Sequence, residues 1–536
     1  MASPEQPAGA SKTVAAIDIG SNSVRMVIAQ VTAVPLAGEG RGETEVLERT
    51  QRAVRLGRST FLAGRLSRQV MNAAIAILRD YRRIMDAYHV ERVRTVATSA
   101  VREANNADSF LDRVAMAVNL EVEVIEPTEE SRLTVSAVRE AVGGAFGANR
   151  GKALVLEVGG GSTLLTILRN GQIAATESYT LGSIRMQELL ATSQEPPERA
   201  ADLIRHHIAH TVALIKRSMA LAEVGTFIAI GGDARFAARQ VGQPASDSGH
   251  LYTVTAEAFD QLVARCVPHT AEELARTHGL PFDNAETLVP ALLGYQAFLR
   301  ATRADPMIVS VVSMRDGLLL DLARQVTGVE DLELTRSILR SARTLARKYR
   351  DDAKHAAHVA DLATRLFDEL QVEHGLRPRY RLLLQVAGIL HEIGKFVSNR
   401  AHHKHSYYLI ANSEIYGVRR DELQIIAQVA RYHRRAAPRP THIEYLSLPR
   451  EGRLVVNKLA AILRVADALD RGQAQQIRDF RVERRPDEFV IYVSGLPDLG
   501  LERRALASKA DLFEDTYGLT VRLEEATSPQ QAEPAE

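Results

Sequence analysis

Short apolar runs with a two-residue rhythm fill the first part of the chain. From Val14 to about Ala323 the runs VAAID, VRMVIAQV, VRTVATSA, VEVI, ALVLEVG, LLTIL and FIAIGG alternate with stretches of helical period. Strands alternating with helices predict an α/β architecture, and the length predicts two such halves, residues 13–137 and 138–325. Over 332–472 the strands give way to segments such as HAAHVADLATRLFDEL and RLLLQVAGILHEIGKF. Their apolar positions recur at 3.6 residues, which predicts an all-α domain. Residues 476–525 return to strand signals (DFRVERR, EFVIYVS, LTVRLEE) and predict a small α/β unit. The ends, 1–12 and 526–536, hold little to bury and predict disordered tails.

Composition narrows the partners. Lys+Arg number 67 against 66 Asp+Glu, so the net charge of +1 gives no global attraction to a polyanion or a membrane. Anion binding must come from local patches. The one cysteine, Cys266, excludes a disulfide framework and a cysteine-based zinc site, as suits a reducing compartment. The first residues have no apolar signal core and the chain has no run of about 20 apolar residues, so a cytoplasmic protein without membrane contact is expected. Aromatic residues make up 5% with no tryptophan, so nucleic acid is not an expected partner.

One internal echo carries chemistry. VAAID-IGSNS-VRMVI and ALVLE-VGGGS-TLLTI both read as strand, tight turn, strand. Each has an acid at the strand end, a glycine two residues on and a serine five residues on: Asp18, Gly20, Ser23 and Glu157, Gly159, Ser162. Such turns present backbone N–H groups and hydroxyls as a nest for phosphate oxygens. Glycine lets the backbone bend and approach an anion closely. The acid is placed to hold a divalent cation bridging those oxygens. Two such loops, one heading each half, predict phosphates clamped between facing halves.

Phosphoryl transfer also needs an oriented nucleophile and further donors. Arg102 follows the strand VRTVA at a helix start, where Thr98 and Ser99 add donors; it is either a phosphate clamp or an arginine on an exposed first turn. In VIEPTEESRL, Glu129 or Glu130 could activate a water, or the pair could simply sit at a helix start. Gly231 and Gly232 end another strand, as a further phosphate contact or a plain turn.

Together DIGSNSVRMVIA, ATSAVREANN, the EESRL segment, VGGGST, YTLGSIR and VSMRDGLLLD resemble, in order and spacing, the exopolyphosphatase and guanosine-pentaphosphate phosphohydrolase (Ppx/GppA) family. The resemblance implies an actin, Hsp70 and sugar-kinase-like fold. It implies removal of terminal phosphate from inorganic polyphosphate, or of the 5′ γ-phosphate of pppGpp, with Mg²⁺ or Mn²⁺ as cofactor. Glu130 falls on the family's catalytic glutamate and Arg102 on its phosphate-binding arginine. Gly20, Ser21, Asn22 and Ser23, with Gly159, Gly160, Gly161, Ser162 and Thr163, fall on its phosphate loops, and Asp18 and Glu157 on its metal positions. The chain departs from the pattern at Glu157, usually Asp, and at Leu164, usually Glu. Long members pair as homodimers, so a homodimer is the implied assembly.

The helical domain resembles the HD phosphohydrolase domain, which would make it a second divalent-metal site. His355, His391 and Asp467 match its ligands, Glu392 replaces its second aspartate, and His405 and His433 would complete a second ion's set. Around them Arg431, Arg434, Arg435, Arg439 and Lys404 read as a basic, histidine-rich surface for a long polyanion. Two alternatives stand beside a phosphatase: a nucleotide hydrolase working from the helical domain, and a sensor that binds (p)ppGpp or polyphosphate without hydrolysis.

Overall fold

The computed structural model describes residues 11–32, 43–142, 151–245, 249–327, 332–350, 352–434, 436–494 and 498–526. Contacts divide the chain into two units, Met1–Asp331 and Leu332–Glu536. Of the expected tails, residues 1–10 and 527–536 lie outside the described residues. Ser11 and Lys12 already belong to the first strand, because its pairing runs on to Thr32 and Val31, and Ala526 donates to the Val493 carbonyl.

The first unit is built on two sheets. The first has β1 (Ser11–Ile19), β2 (Ser23–Thr32), β3 (Glu43–Ala53), β4 (Arg92–Ala97) and β5 (Val122–Val124), in the order β3-β2-β1-β4-β5. The second has β6 (Lys152–Val158), β7 (Thr163–Arg169), β8 (Gln172–Tyr179), β9 (Thr226–Ile230), β10 (Gln243–Pro244), β11 (Leu251–Val254) and β12 (Met307–Ser310). Its order is β10-β11-β12-β9-β6-β7-β8. In both, a leading strand pairs antiparallel with the next and parallel with a strand that arrives after a helix. The two halves therefore repeat one topology, and the middles of β1 (Val14–Ile17) and β6 (Ala153–Leu156) are apolar on both faces, with the acids Asp18 and Glu157 near their C-terminal ends.

The boundary between the halves is not the one the chain order suggests. Helix Pro127–Val142 leaves the first half but packs Val135 and Val138 against Val155, Leu168 and Ile228 of the second sheet. Helix Met314–Thr327 leaves the second half but packs Leu318, Leu319 and Leu322 against Val14, Ala16 and Val27 of the first. The helices cross at Gly317, where any side chain would run into the Leu133 backbone. The expected division into 13–137 and 138–325 thus gives way to two halves that exchange their last helices, each apolar stripe going to the sheet face it fits.

In the second unit, helices from Leu332–Lys348 to Arg450–Leu469 share one core with β13 (Arg481–Arg484), β14 (Glu488–Val493), β15 (Thr520–Glu525) and the helices Gly500–Lys509 and Asp511–Tyr517. The small α/β segment is continuous with the helical core instead of being a separate unit. Arg464, fully buried, ties it in by donating to the Tyr432 carbonyl and to Asp511.

Candidate functional site

Both glycine-serine turns close in the same way. The Gly20 N–H donates to the Ser23 carbonyl (3.0 Å) and the Gly159 N–H to the Ser162 carbonyl (2.9 Å). They face each other across one cleft of about 280 Å³, lined by Gly20–Ser23 and Gly159–Ser162 together with Asp18, Glu130 and Glu157. The Ser21 and Ser99 hydroxyls meet at 3.0 Å, and a Cβ on Gly161 would strike Ser99, Phe61 and Ser21. Only glycine permits that approach. The segment Gly182–Arg185 braces the second loop from behind. Ser183 and Ile184 N–H groups donate to the Gly159 and Gly160 carbonyls, and Arg185 Nε donates to Gly161 (2.6 Å). Arg185 itself is held by Glu103 and lies over the Phe61 ring.

Thr163 differs from expectation. Its hydroxyl donates to the Leu181 carbonyl (2.8 Å) and its side chain is buried, so the hydroxyl fixes the brace and does not face the cleft. Strand alternation explains this: Ser162 ends the turn, whereas Thr163 begins β7 with its side chain turned into the packing.

The adjacent glutamates part company because successive helix residues point about 100° apart. Glu129 enters a buried network with Arg132 (2.7 Å), Arg94 (3.0 Å) and, through them, Asp321. Burial would raise its pKa, but Arg132 and then Arg94 outweigh it and hold Glu129 at about 2. Glu130 turns into the cleft and accepts from Arg102 (2.7 Å), which also donates to the Ile125 carbonyl. Burial dominates there, and with Glu157 and Asp18 adding to it the pKa rises to about 7 despite Arg102.

Charge is concentrated deeper in the cleft. Burial raises the pKa of both Asp18 and Glu157, against the opposing pull of Arg25, which lies 3.6 Å from Asp18. Asp233 is pushed up to about 7, again by burial. Arg25 Nε, Arg235 Nη1, Arg315 Nε and Ser23 Oγ are buried with no hydrogen-bond partner in the protein. Gly231 adopts φ 111°, a conformation suited to glycine, and Tyr295 pins it by donating to Ile230 and accepting from Val158 N–H. Leu164 lines the cleft directly across the ladder from Glu157. Sequence reasoning assigned no role to Arg25, Asp233, Arg235, Arg315 or Arg185. Arg25 stands inside the apolar strand β2, where its charge was the available signal; Arg185 and Arg315 lie within YTLGSIR and VSMRDGLLLD, and Asp233 and Arg235 follow Gly231 on the helix Gly232–Val241.

The second unit gathers a separate set. His355, His391 and Asp467 form one group and Glu392, His402 and His433 another, all buried. His402 takes the place expected for His405: on helix His402–Ala411 the inward stripe runs through His402, Ser406 and Ile410, and His405 falls off it. His391 and Glu392 diverge because the helix Pro378–Leu390 ends there and a 3₁₀ turn follows. Of the expected basic, histidine-rich surface, Lys404, Arg434 and Arg439 are exposed, while other members turn away from it. His402 and His433 face inward, and Arg431 is engaged by Glu444 (3.1 Å) and lies over Tyr407. Arg435 lies outside the described residues. Among the described residues no helix is long and apolar enough to cross a membrane.

The profile of the Ppx/GppA phosphatase family matches residues 33–326, and that of Ppx/GppA phosphatase domain III matches residues 338–512. A crystal structure of an exopolyphosphatase from Cytophaga hutchinsonii is similar, with 23% identity over 60% of this chain and 99% of that one, and a TM-score of 0.51. An Aquifex aeolicus member of the Ppx/GppA family shares 26% identity over 59% of this chain and 99% of that one, with a TM-score of 0.48. The first likeness agrees with the repeated α/β topology of an actin-like fold. The family profiles span most of both units, and the chain belongs to the Ppx/GppA phosphatase family, hydrolases of phosphoanhydride bonds.

Proposed function

We propose that the cleft removes the terminal phosphate of inorganic polyphosphate as orthophosphate, and that it also accepts the 5′ γ-phosphate of pppGpp. The observation that carries this reading is the Glu130–Arg102 pair, 2.7 Å apart, in the same cleft as both glycine-serine loops, Asp18 and Glu157. The loops cradle the terminal phosphate, and Glu130 orients a water against its phosphorus. As the new P–O bond forms and the bridging P–O bond breaks, Glu130 takes the water's proton and the shortened chain leaves with the bridging oxygen's electron pair. With its pKa near 7, Glu130 is divided between its two forms at neutral pH, which suits a group that accepts and returns a proton. Arg102 holds Glu130 and, in the complex, contacts the transferred phosphate.

Asp18 and Glu157 are buried carboxylates whose ionised forms need a counter-charge, and their oxygen donors fit a hard divalent cation such as Mg²⁺ or Mn²⁺. Such an ion, when bound, neutralises phosphate oxygens. Arg25, Arg235 and Arg315 offer N–H groups that have no protein partner. Phosphate–arginine contacts suffice for a polyphosphate chain. A nucleotide base also needs a platform, and the aromatic ring of the lining, Phe236, is buried and edge-packed on His278. That favours polyphosphate as the better substrate.

The test measures phosphate release from long polyphosphate and from pppGpp, with Mg²⁺ or Mn²⁺, in wild type, Glu130→Ala and His391→Ala. Loss of release in Glu130→Ala with polyphosphate cut faster is the expected result. Release that survives Glu130→Ala and disappears with His391→Ala would move the chemistry to the helical unit. Tight binding of either anion with no release would make the protein a sensor, with Leu164 in place of an acid as its reason.

A further inference from the structure

The first turn of helix Pro127–Val142 sends three successive side chains to three places. Glu129 turns to the first half, where Arg132 and Arg94 join it to Asp321 on helix Met314–Thr327. Glu130 enters the cleft and meets Arg102. Ser131 turns to the second half, where its hydroxyl meets Thr166 Oγ1 at 2.5 Å and Thr176 Oγ1 at 3.1 Å. Steps of about 100° around the helix produce this fan. Ser131 and Thr166 are each 1% exposed, and Thr166 stands directly opposite Thr176 on the ladder between β7 and β8.

The surroundings of these hydroxyls are apolar. Further along the same helix Val135 and Val138 are buried against Val155, Leu168 and Ile228. Apolar burial is non-directional and leaves a helix free to turn a little about its axis. A hydrogen bond is less tolerant, because it weakens steeply away from its preferred distance and angle, and a buried hydroxyl left without one costs about 1–3 kcal/mol. The three hydroxyls therefore fix the rotation that the valines leave loose. At Glu130 that rotation is large enough to matter. A turn of about 10° moves a side-chain end, about 5–6 Å from the helix axis, by about 1 Å. A displacement of that size costs a reaction about 10²-fold.

We infer that Ser131, anchored on Thr166 and Thr176, is a positioning residue that holds the Glu130 carboxylate at Arg102 and towards the attacking water; this rests on the proposed role of Glu130 as the water's proton acceptor. Glu129 and Ser131 flank the carboxylate, one tied to each half, so Glu130 is set against both walls of the cleft at once. Thr166 shares a strand face with Leu164, two residues earlier, which lines the cleft. The anchor thus stands one step along the same face from the cleft wall.

The test is the kinetics of phosphate release from polyphosphate by the full-length protein, well below its melting temperature, in Thr166→Val and Thr166→Ser. Valine keeps nearly the shape of threonine and removes the hydroxyl, whereas serine keeps the hydroxyl and removes the methyl. A packing role makes valine the harmless change, and an anchoring role makes it the harmful one. In Thr166→Val kcat should fall by about 10–10²-fold with KM unchanged, since the glycine-serine loops are untouched, and Thr166→Ser should stay close to wild type. Ser131→Ala should reproduce the loss from the other end, and the double variant should lose no more than the worse single one, as residues in one contact do. Full activity in Thr166→Val, an equal loss in Thr166→Ser, or losses that add in the double variant, beside an inactive Glu130→Ala, would overturn the anchor and leave Glu130 its role. Release that survives Glu130→Ala would overturn both.

Discussion

The cleft of the first unit and the histidine pocket of the second both concentrate buried charge, but they are assembled in opposite ways. In the cleft the chain folds back on itself. Each loop is a contiguous hairpin turn, and the groups that act beside it lie within a few residues of a strand end. In the pocket the six groups come from separate helix faces and helix ends spread over more than a hundred residues, from His355 to Asp467. The cleft depends on backbone that must approach closely, the pocket on helical phase. Damage to the first should therefore appear as lost turnover, and damage to the second as lost packing.

Replacing Glu130 gives the largest expected separation. Glu130→Gln keeps the shape but removes the proton acceptor, so phosphate release should fall by about 10²–10⁴-fold. Thermal stability should hold or rise, because the buried carboxylate it replaces is held with a pKa of about 7. A stopped-assay measurement of released phosphate beside a melting curve checks both, and a fall in stability equal to the fall in activity would break the contrast.

Paired glycines sharpen it further. Gly182→Ala would push a Cβ into the backbone of Gly160–Ser162 and displace the second loop, with about 10²-fold lost from kcat/KM. Gly388→Ala would bring a Cβ to 2.8 Å from Ala360 Cα in the helical core and cost about 1–3 kcal/mol, seen in the melting temperature.

The same difference decided what was legible in the sequence. The two hairpins, their acids and Glu130 stood in contiguous motifs, so the residues brought to the cleft are largely the ones expected. Thr163 was misplaced because one residue along a strand reverses the side chain's direction. His402 and His405 are three residues apart in a run of histidines, and only the packing of Ser406 and Ile410 sets which of them faces inward. β3 is paired with β2 at both ends around a bulge at Leu47, yet carries Glu45, Glu48, Arg49 and Arg52, so no apolar run announced it. The exchanged helices were hidden for another reason: an amphipathic stripe states that a face is buried, not which sheet buries it.

Leu164 tests how far the cleft tolerates another acid. It stands opposite Glu157 on the ladder and is buried, so Leu164→Glu would set a third carboxylate near Asp18 and Glu157. Without a divalent ion this should destabilise by about 1–3 kcal/mol, the scale for burying an uncompensated polar group. Mg²⁺ should restore more stability to the variant than to wild type. A melting temperature that shows no added Mg²⁺ dependence would mean that the position lies beyond the reach of the ion.

The finest comparison distinguishes neighbours within one turn of helix. Glu129 is held at about 2, below its unfolded value of 4.5, because Arg132 and Arg94 outweigh burial. Its contribution is therefore complete above about pH 4.5 and is lost as the pH falls towards 2, on the order of 3 kcal/mol. Glu130 has the opposite sign. Its pKa is raised to about 7, so the folded state holds that proton more tightly, and stability falls as the pH rises from about 4.5 through 7. Melting temperatures of wild type, Glu129→Gln and Glu130→Gln between pH 3 and 8, in chelator, separate the two. Glu129→Gln should flatten the acid limb and lower stability at pH 7, leaving Arg94 and Arg132 to Glu123 and Asp321 alone. Glu130→Gln should flatten the neutral limb. If one substitution flattened both limbs, the two carboxylates would titrate as one cluster, and the division between a structural glutamate and a cleft glutamate would fail.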